Sequence, residues 1–229
     1  REATGSDLRS VCIDDEAGAR CAARHLLQTG RRTISFLAGP SASQSGRRRA
    51  QGYQHALAEA GVPIDPALSV LCTPHLEGGY SAVRQILSSR PEIDAFLCYN
   101  DLVAIGLIDA LLEMGIRVPE EVSIIGFDNI DIDNSVKIPL TTVDALCDRM
   151  GEEAARLLIR QISDRYEILN HRIILEPELV LRKSAGPPPW RASIASRTRS
   201  SYPASTSAVS SSRATARATP RLTSLLTIR

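Results

Sequence analysis

The chain has 229 residues, 43% apolar and 4% aromatic, with 27 basic against 26 acidic side chains. That length suits one or two domains of roughly 100 to 150 residues, and no run approaches the ~20 consecutive apolar residues of a membrane span. The net charge of +1 hides a split, since residues 1–184 sum to −6 while residues 185–229 hold seven arginines and no acid; an acidic body is a poor electrostatic match for a polyanion, which argues against its gripping nucleic acid by itself.

The chain opens at Arg1 on a polar stretch that reads as the interior of something longer, with no signal-peptide series. Asp14 to Thr29 is the first predicted helix, with Ala19, Ala22, Ala23, Leu26 and Leu27 on one side. From Arg31 onward, short β-rich runs alternate with amphipathic helices, the order that a parallel sheet with crossover helices requires. Thr33 to Leu37 is a strand and Ser45 to Ala60 a helix ended by Gly61 and Pro63. Leu68 to Cys72 is a strand, Gly78 to Ser89 a helix, and Ala95 to Tyr99 a strand. Asp101 to Met114 is the clearest helix, opened by an Asn100-Asp101 cap and closed by Gly115, and Val122 to Phe127 is the next strand. Asp148 to Ser163 is a helix striped by Ala154, Leu157, Leu158 and Ile162, and His171 to Leu175 and Glu178 to Arg182 are β-like.

Strands alternating with helices give an α/β class with a doubly wound parallel sheet, here one nearly complete subdomain plus part of a second. The expected division is 1–30, a remnant of an N-terminal subdomain; 31–138, the C-terminal subdomain; 139–165, a crossover and a helix of the N-terminal subdomain; 166–184, the final strands; and 185–229, a disordered Pro-, Ser- and Arg-rich tail. On this reading the helices at 14–29 and 148–163 are half covered, and the chain is not fully stable as it stands. Cys12, Cys21, Cys72, Cys98 and Cys147, odd in number, widely spaced and mostly in apolar runs, read as buried reduced thiols of a cytoplasmic protein.

In an open parallel sheet, ligands bind beyond the carboxyl ends of the strands, where helix N-termini and loop amides converge. Gly39-Pro40-Ser41 follows the first strand of the sheet, with Arg49 one turn into the next helix; Tyr99-Asn100-Asp101 follows the third and Phe127-Asp128-Asn129 the fourth. An amide, a guanidinium and two carboxylates around one crevice suit a polyhydroxylated small molecule, because a carboxylate accepts from vicinal hydroxyls and an arginine donates a rigid fork. Asp101 also fits a helix N-cap. Other chemistries find less support. Arg47-Arg48-Arg49 lacks the Gly-Lys-Ser/Thr of a phosphate loop. Asp131-Ile132-Asp133 lacks the central glycine of a calcium loop, with Thr142 at its twelfth position, and leaves only an aspartyl nucleophile open. His25, His55, His75 and His171 have no metal spacing, and no serine sits in a nucleophile elbow. No cofactor, no metal and no catalysis are expected.

The same residues carry a resemblance. Asp14-Asp15-Glu16-Ala17-Gly18, His25-Leu26-Leu27-Gln28-Thr29-Gly30, Arg49-Ala50-Gln51-Gly52-Tyr53, Tyr99-Asn100-Asp101, Gly115-Ile116-Arg117-Val118-Pro119, Ile125-Gly126-Phe127-Asp128, Pro139-Leu140-Thr141-Thr142-Val143 and Glu178-Leu179-Val180-Leu181-Arg182-Lys183-Ser184 together resemble the regulatory core of LacI/GalR-type bacterial transcription regulators over about residues 11–184. The resemblance implies a type I periplasmic-binding-protein-like fold with a small effector, usually a sugar or sugar derivative, in a cleft between two subdomains. It assigns effector contact to Arg49, Asn100, Asp101 and Asp128. An aromatic that often stacks on the sugar would fall near Pro74-His75, where none occurs, and Tyr80 or Tyr99 is the candidate substitute. It further implies a homodimer, with Ile105, Ile108 and Val136 as interface candidates, and operator DNA contacted only through an N-terminal helix-turn-helix outside this sequence. A periplasmic sugar-binding protein of a transporter is the alternative on the same fold.

Overall fold

The computed structural model describes residues 10–131, 135–163 and 172–187. Its elements run β1 (Ser10–Ile13), α1 (Asp15–Gln28), β2 (Ile34–Ala38), α2 (Gln44–Glu59), β3 (Ser69–Leu71), α3 (Leu76–Ser89), β4 (Ala95–Cys98), α4 (Asp101–Glu113), β5 (Ser123–Asp128), β6 (Thr141–Asp144), α5 (Cys147–Ser163), β7 (Arg172–Leu175) and β8 (Glu178–Val180). The expected α/β doubly wound class is the one found. The six-stranded sheet has the order β3-β2-β4-β5-β6-β8, parallel except for β8, and β1 pairs with β7 in a separate parallel sheet.

The central strands are short continuous apolar runs because both their faces are covered. Alternation divides them: Leu37, Phe96, Cys98 and Ile124 pack under α3 and α4, while Ile34, Phe36, Ala95, Leu97, Ile125 and Phe127 pack under α1 and α2. The chain reverses direction across the sheet between β2 and β4, whose carboxyl ends therefore flank the crevice.

Several boundaries differ from those read off the sequence. Helix α1 is not half covered: Ala19, Ala22, Ala23 and Leu26 are fully buried in a core shared with Tyr53, Ala56 and Leu57 of α2. Small side chains make this approach close enough that a Cβ at Gly52 would stand 2.1 Å from the Glu16 carbonyl. Residues 139–165 hold β6, which pairs with β5 inside the main sheet, and then helix α5. Ser10–Ile13, for which no element is predicted, is a strand, and of the five thiols expected to be buried only Cys98 is, since Cys21 and Cys147 lie on outward helix faces and are exposed. Residues 185 and 186 belong to the core and not to a tail: Ala185 packs beside α1 and α2, and the Gly186 carbonyl accepts from Arg31 and from Ser123 Oγ at 3.0 Å. Residues 188–229 and the start of the predicted strand at His171 lie outside the described residues.

Helix α5 matches its expectation, burying Leu157 while Leu158, Ile159 and Ile162 stay 58%, 63% and 68% exposed. Helices α3 and α4 cross through their backbones. A Cβ at Gly79 would meet the Val103 carbonyl at 1.9 Å, and one at Gly106 the Leu76 carbonyl at 1.9 Å. Alanine at Gly106 gains about 1 kcal/mol of helix propensity but forces the helices apart at an overpacking cost of about 1 to 3 kcal/mol. With backbone as the obstacle, the clash wins, and Gly106→Ala is expected to lower the urea midpoint. An unchanged or raised midpoint contradicts this packing.

Candidate functional site

Arg49 is the centre of the crevice. It stands in the second turn of α2, a helix whose N-cap, Ser43, accepts from Gly46 N. Only 7% of the residue is exposed. Arg49 Nε donates to Asp15 Oδ1 at 2.8 Å and Nη1 to the Tyr99 carbonyl at 2.5 Å. Its guanidinium carbon lies 3.5 Å from the Phe127 ring centroid and 5.2 Å from that of Tyr99. A planar cation held by a carboxylate, a carbonyl and two rings keeps one orientation without help from a ligand.

Asp128 faces this fork from the end of β5, with Oδ1 3.5 Å from both Nη1 and Nη2. That separation is the outer limit of a hydrogen bond, so the pair is adjacent but not closed. Its carboxyl is pushed up to about 6: burial is the largest cause, Arg49 opposes it, and Asp101 and Asp15 add to it. A carboxyl raised in the fold favours the protonated form, so its contribution to stability is present below the unfolded value near 4 and lost as pH rises through about 6. Asp128→Asn is therefore expected to flatten the fall in stability across that window, as followed by urea titrations at several pH values. A parent-like slope in the variant contradicts the assignment.

Of the four residues assigned to effector, the structure brings Arg49 and Asp128 together and gives the other two different work. Asn100, not Asp101, is the N-cap of α4: its Oδ1 accepts from Val103 N at 3.0 Å and its Nδ2 donates to the Pro74 carbonyl at 3.2 Å. Asp101 is fully buried and turned into the fold, accepting from Thr142 Oγ1 at 2.5 Å and from Ile130 N at 3.1 Å. Its carboxylate lies over β5 where a Cβ at Gly126 would come within 2.1 Å. Asp101 is thus a structural tie between α4, β6 and the segment after β5, and its place among the ligand contacts is corrected. Two of the three interface candidates are corrected as well, because Ile105 and Ile108 lie in the core beneath α4; Val136 is half-buried against the same core. A helix apolar on every side, as α4 is, is buried on most of them. Asp131 is exposed and Asp133 lies outside the described residues.

The sequence reading missed Asp15. A helix opening Asp14-Asp15 looks like one capping position, yet Asp14 alone caps, accepting from Ala17 N at 3.0 Å, and Asp15 turns inward to Arg49. Tyr99, one of two candidate aromatics, is at the crevice: its ring lies against Gly39, where a Cβ would come within 2.4 Å, and its hydroxyl is 3.1 Å from Ser43 Oγ. Tyr80 is elsewhere, its hydroxyl donating to Glu113 on the outer side of α3 and α4.

The periplasmic binding protein-like domain family matches residues 23–185. The chain is 34% identical over 184 residues to the HTH-type transcriptional repressor PurR of Haemophilus influenzae, covering 79% of this chain and 55% of the relative. Among solved structures, the transcriptional regulator CelR in complex with cellobiose superposes with a TM-score of 0.74 at 34% identity, over 78% of this chain and 54% of that one. A LacI family transcriptional regulator from Enterococcus faecium with bound ribose superposes with a TM-score of 0.75 at 28% identity, over 81% and 68%. The chain spans about half the length of the curated relatives it matches.

Proposed function

The chain belongs to the periplasmic binding protein-like domain family, in the form found in LacI/GalR-type transcription regulators, and from that premise we propose that it is the effector-sensing core of such a regulator, taking a sugar or sugar derivative beside Arg49 and Asp128. The observation that carries the ligand class is the unclosed pair. A hydroxyl seated beside Nη2 of Arg49 and Oδ1 of Asp128, within hydrogen-bond reach of each, accepts from the first and donates to the second, so one polyol oxygen bridges both partners at once. The Tyr99 ring offers an apolar wall nearby. Two relatives of known structure hold cellobiose and ribose, which fits the same chemistry.

The reading extends to a protein in which this core is joined to a helix-turn-helix, as the relatives' names describe. Effector closes the cleft, subdomains rotate, and operator affinity changes by about 5- to 150-fold, the usual span of an allosteric coupling of ~1 to 3 kcal/mol. Such a regulator is cytoplasmic, has no catalytic step and acts as a homodimer. Among the described residues no helix is long and apolar enough to cross a membrane. Support for a self-association face comes from Leu76 and Leu102, 42% and 36% exposed where α3 and α4 cross, with Val136 packed on the same core. The transporter alternative loses ground because the relatives named above are regulators.

Calorimetric titration of cellobiose, ribose and a panel of neutral, amino and phosphorylated sugars tests the proposal. At least one sugar is expected to bind, and Asp128→Asn is expected to weaken it by a charge-assisted hydrogen bond, about 1.5 to 3 kcal/mol. Binding that is indifferent to Asp128 sinks it.

A further inference from the structure

Asp128 and Asn129 are both non-glycine residues with positive φ, 119° and 57°. Left-handed backbone of this kind persists where surrounding contacts over-determine it. Those contacts are specific here. Asn129 Nδ2 donates to Asp144 Oδ2 at 2.9 Å, and Asn129 Oδ1 accepts from Arg182 Nη2 at 2.6 Å. Arg182 is in turn fixed by its Nη1, which donates to the Leu140 carbonyl at 2.7 Å, and by its backbone N, which donates to Thr141 Oγ1 at 2.9 Å. Asp144 is fixed by the backbone N–H of Leu146, which reaches its Oδ1 at 2.7 Å. Asp144 is also the register partner of Asp128 across β5 and β6, and of Glu178 across β6 and β8.

We propose that Asn129, Arg182 and Asp144 form a side-chain clamp that holds the strained turn at the end of β5 and so aims the Asp128 carboxylate at Arg49. They are positioning residues: the hydrogen bonds that define the clamp are made by the amide of Asn129, one residue beyond Asp128. The clamp ties the aim of the site to the far edge of the sheet, since Arg182 follows the last strand, β8, and Asp144 ends β6. That the aimed carboxylate meets an effector rests on the function proposed above; the clamp itself does not.

Carboxyl carbon NMR of the 229-residue chain reads the aim of Asp128 without any ligand. In the parent the group titrates near 6, raised chiefly by burial. Asn129→Gly keeps a residue at ease with positive φ but removes the amide, and Arg182→Met removes the outer donor. Both are expected to release the carboxylate toward solvent and lower its midpoint by about one unit, a tenfold change in proton affinity. If Arg182→Met does not fold, Asn129→Gly decides alone. An unchanged midpoint in Asn129→Gly overturns the clamp. So does a midpoint that falls in Asn129→Ala and is restored by glycine, since backbone strain would then be the whole effect. A midpoint that falls in Asn129→Gly, with sugar binding indifferent to Asp128→Asn, upholds the clamp and overturns the effector reading instead.

Discussion

Arg31→Met is expected to destabilise the domain by about 3 to 5 kcal/mol, with a fall in melting temperature of about 10 °C for a chain of this size. Arg31 is 1% exposed. It donates to backbone carbonyls: Pro119, Glu121 at 2.9 Å, and Gly186 at 3.1 and 3.3 Å. Burial pulls its affinity for a proton down, with Asp94 and Glu120 opposing. Methionine fills much of the volume but takes the guanidinium donors away from the Pro119 and Glu121 carbonyls, while the Gly186 carbonyl keeps only Ser123 Oγ, and each orphaned buried acceptor costs about 1 to 3 kcal/mol. Three segments part company together: the joint between α1 and β2, the turn before β5, and the chain after Ser184. Arg31→Lys keeps the charge but not the fork, so it is expected to fall between parent and methionine. A parent-like denaturation midpoint for Arg31→Met would show that the carbonyls find other donors.

The second large effect is at Arg49, where stability and the proposed ligand contact meet. Arg49→Met removes the cation between Asp15 and Asp128 and leaves Asp15, 8% exposed, without its partner. Breaking one side of a buried pair costs about 3 to 5 kcal/mol, and loss of the fork weakens a hydroxylated ligand by about 1.5 to 3 kcal/mol, roughly 10- to 150-fold. The stability deficit has a pH signature. Abandoned buried carboxylates prefer to be protonated, so the gap between variant and parent is expected to narrow as pH falls toward 4. Adding Asp15→Asn to Arg49→Met is expected to recover part of the loss, as coupled neighbours do in a double-mutant cycle. Additive penalties would refute the pairing, and a stable variant that binds sugar as the parent does would refute the site.

Much of this was legible in the sequence because it rests on periodicity. The strands from β2 to β5 and helices α2 to α4 follow from runs of one period giving way to another, and residues after a strand identify the crevice without coordinates. What was hidden depends on facts that periodicity does not carry. Asn100 and Asp101 are adjacent and both polar, and the cap geometry decides that the first closes the helix while the second enters the core. The alanine stripe of α1 was visible, but its partner was not, because an alanine face and Gly52 announce close approach only once two helices are set side by side. β6 is four residues long, and its place beside β5 is set by pairing across a gap in sequence. Ile105 and Ile108 looked available for a partner because the chain alone does not tell which sides of an all-apolar helix the sheet consumes.

The crossing of α3 and α4 at Gly79 and Gly106 is contact between main chains, so it reads no side chain on either helix. Residues lining the crevice can thus vary without touching this crossing, whose closeness depends only on two positions that carry a hydrogen where any other residue would carry a Cβ.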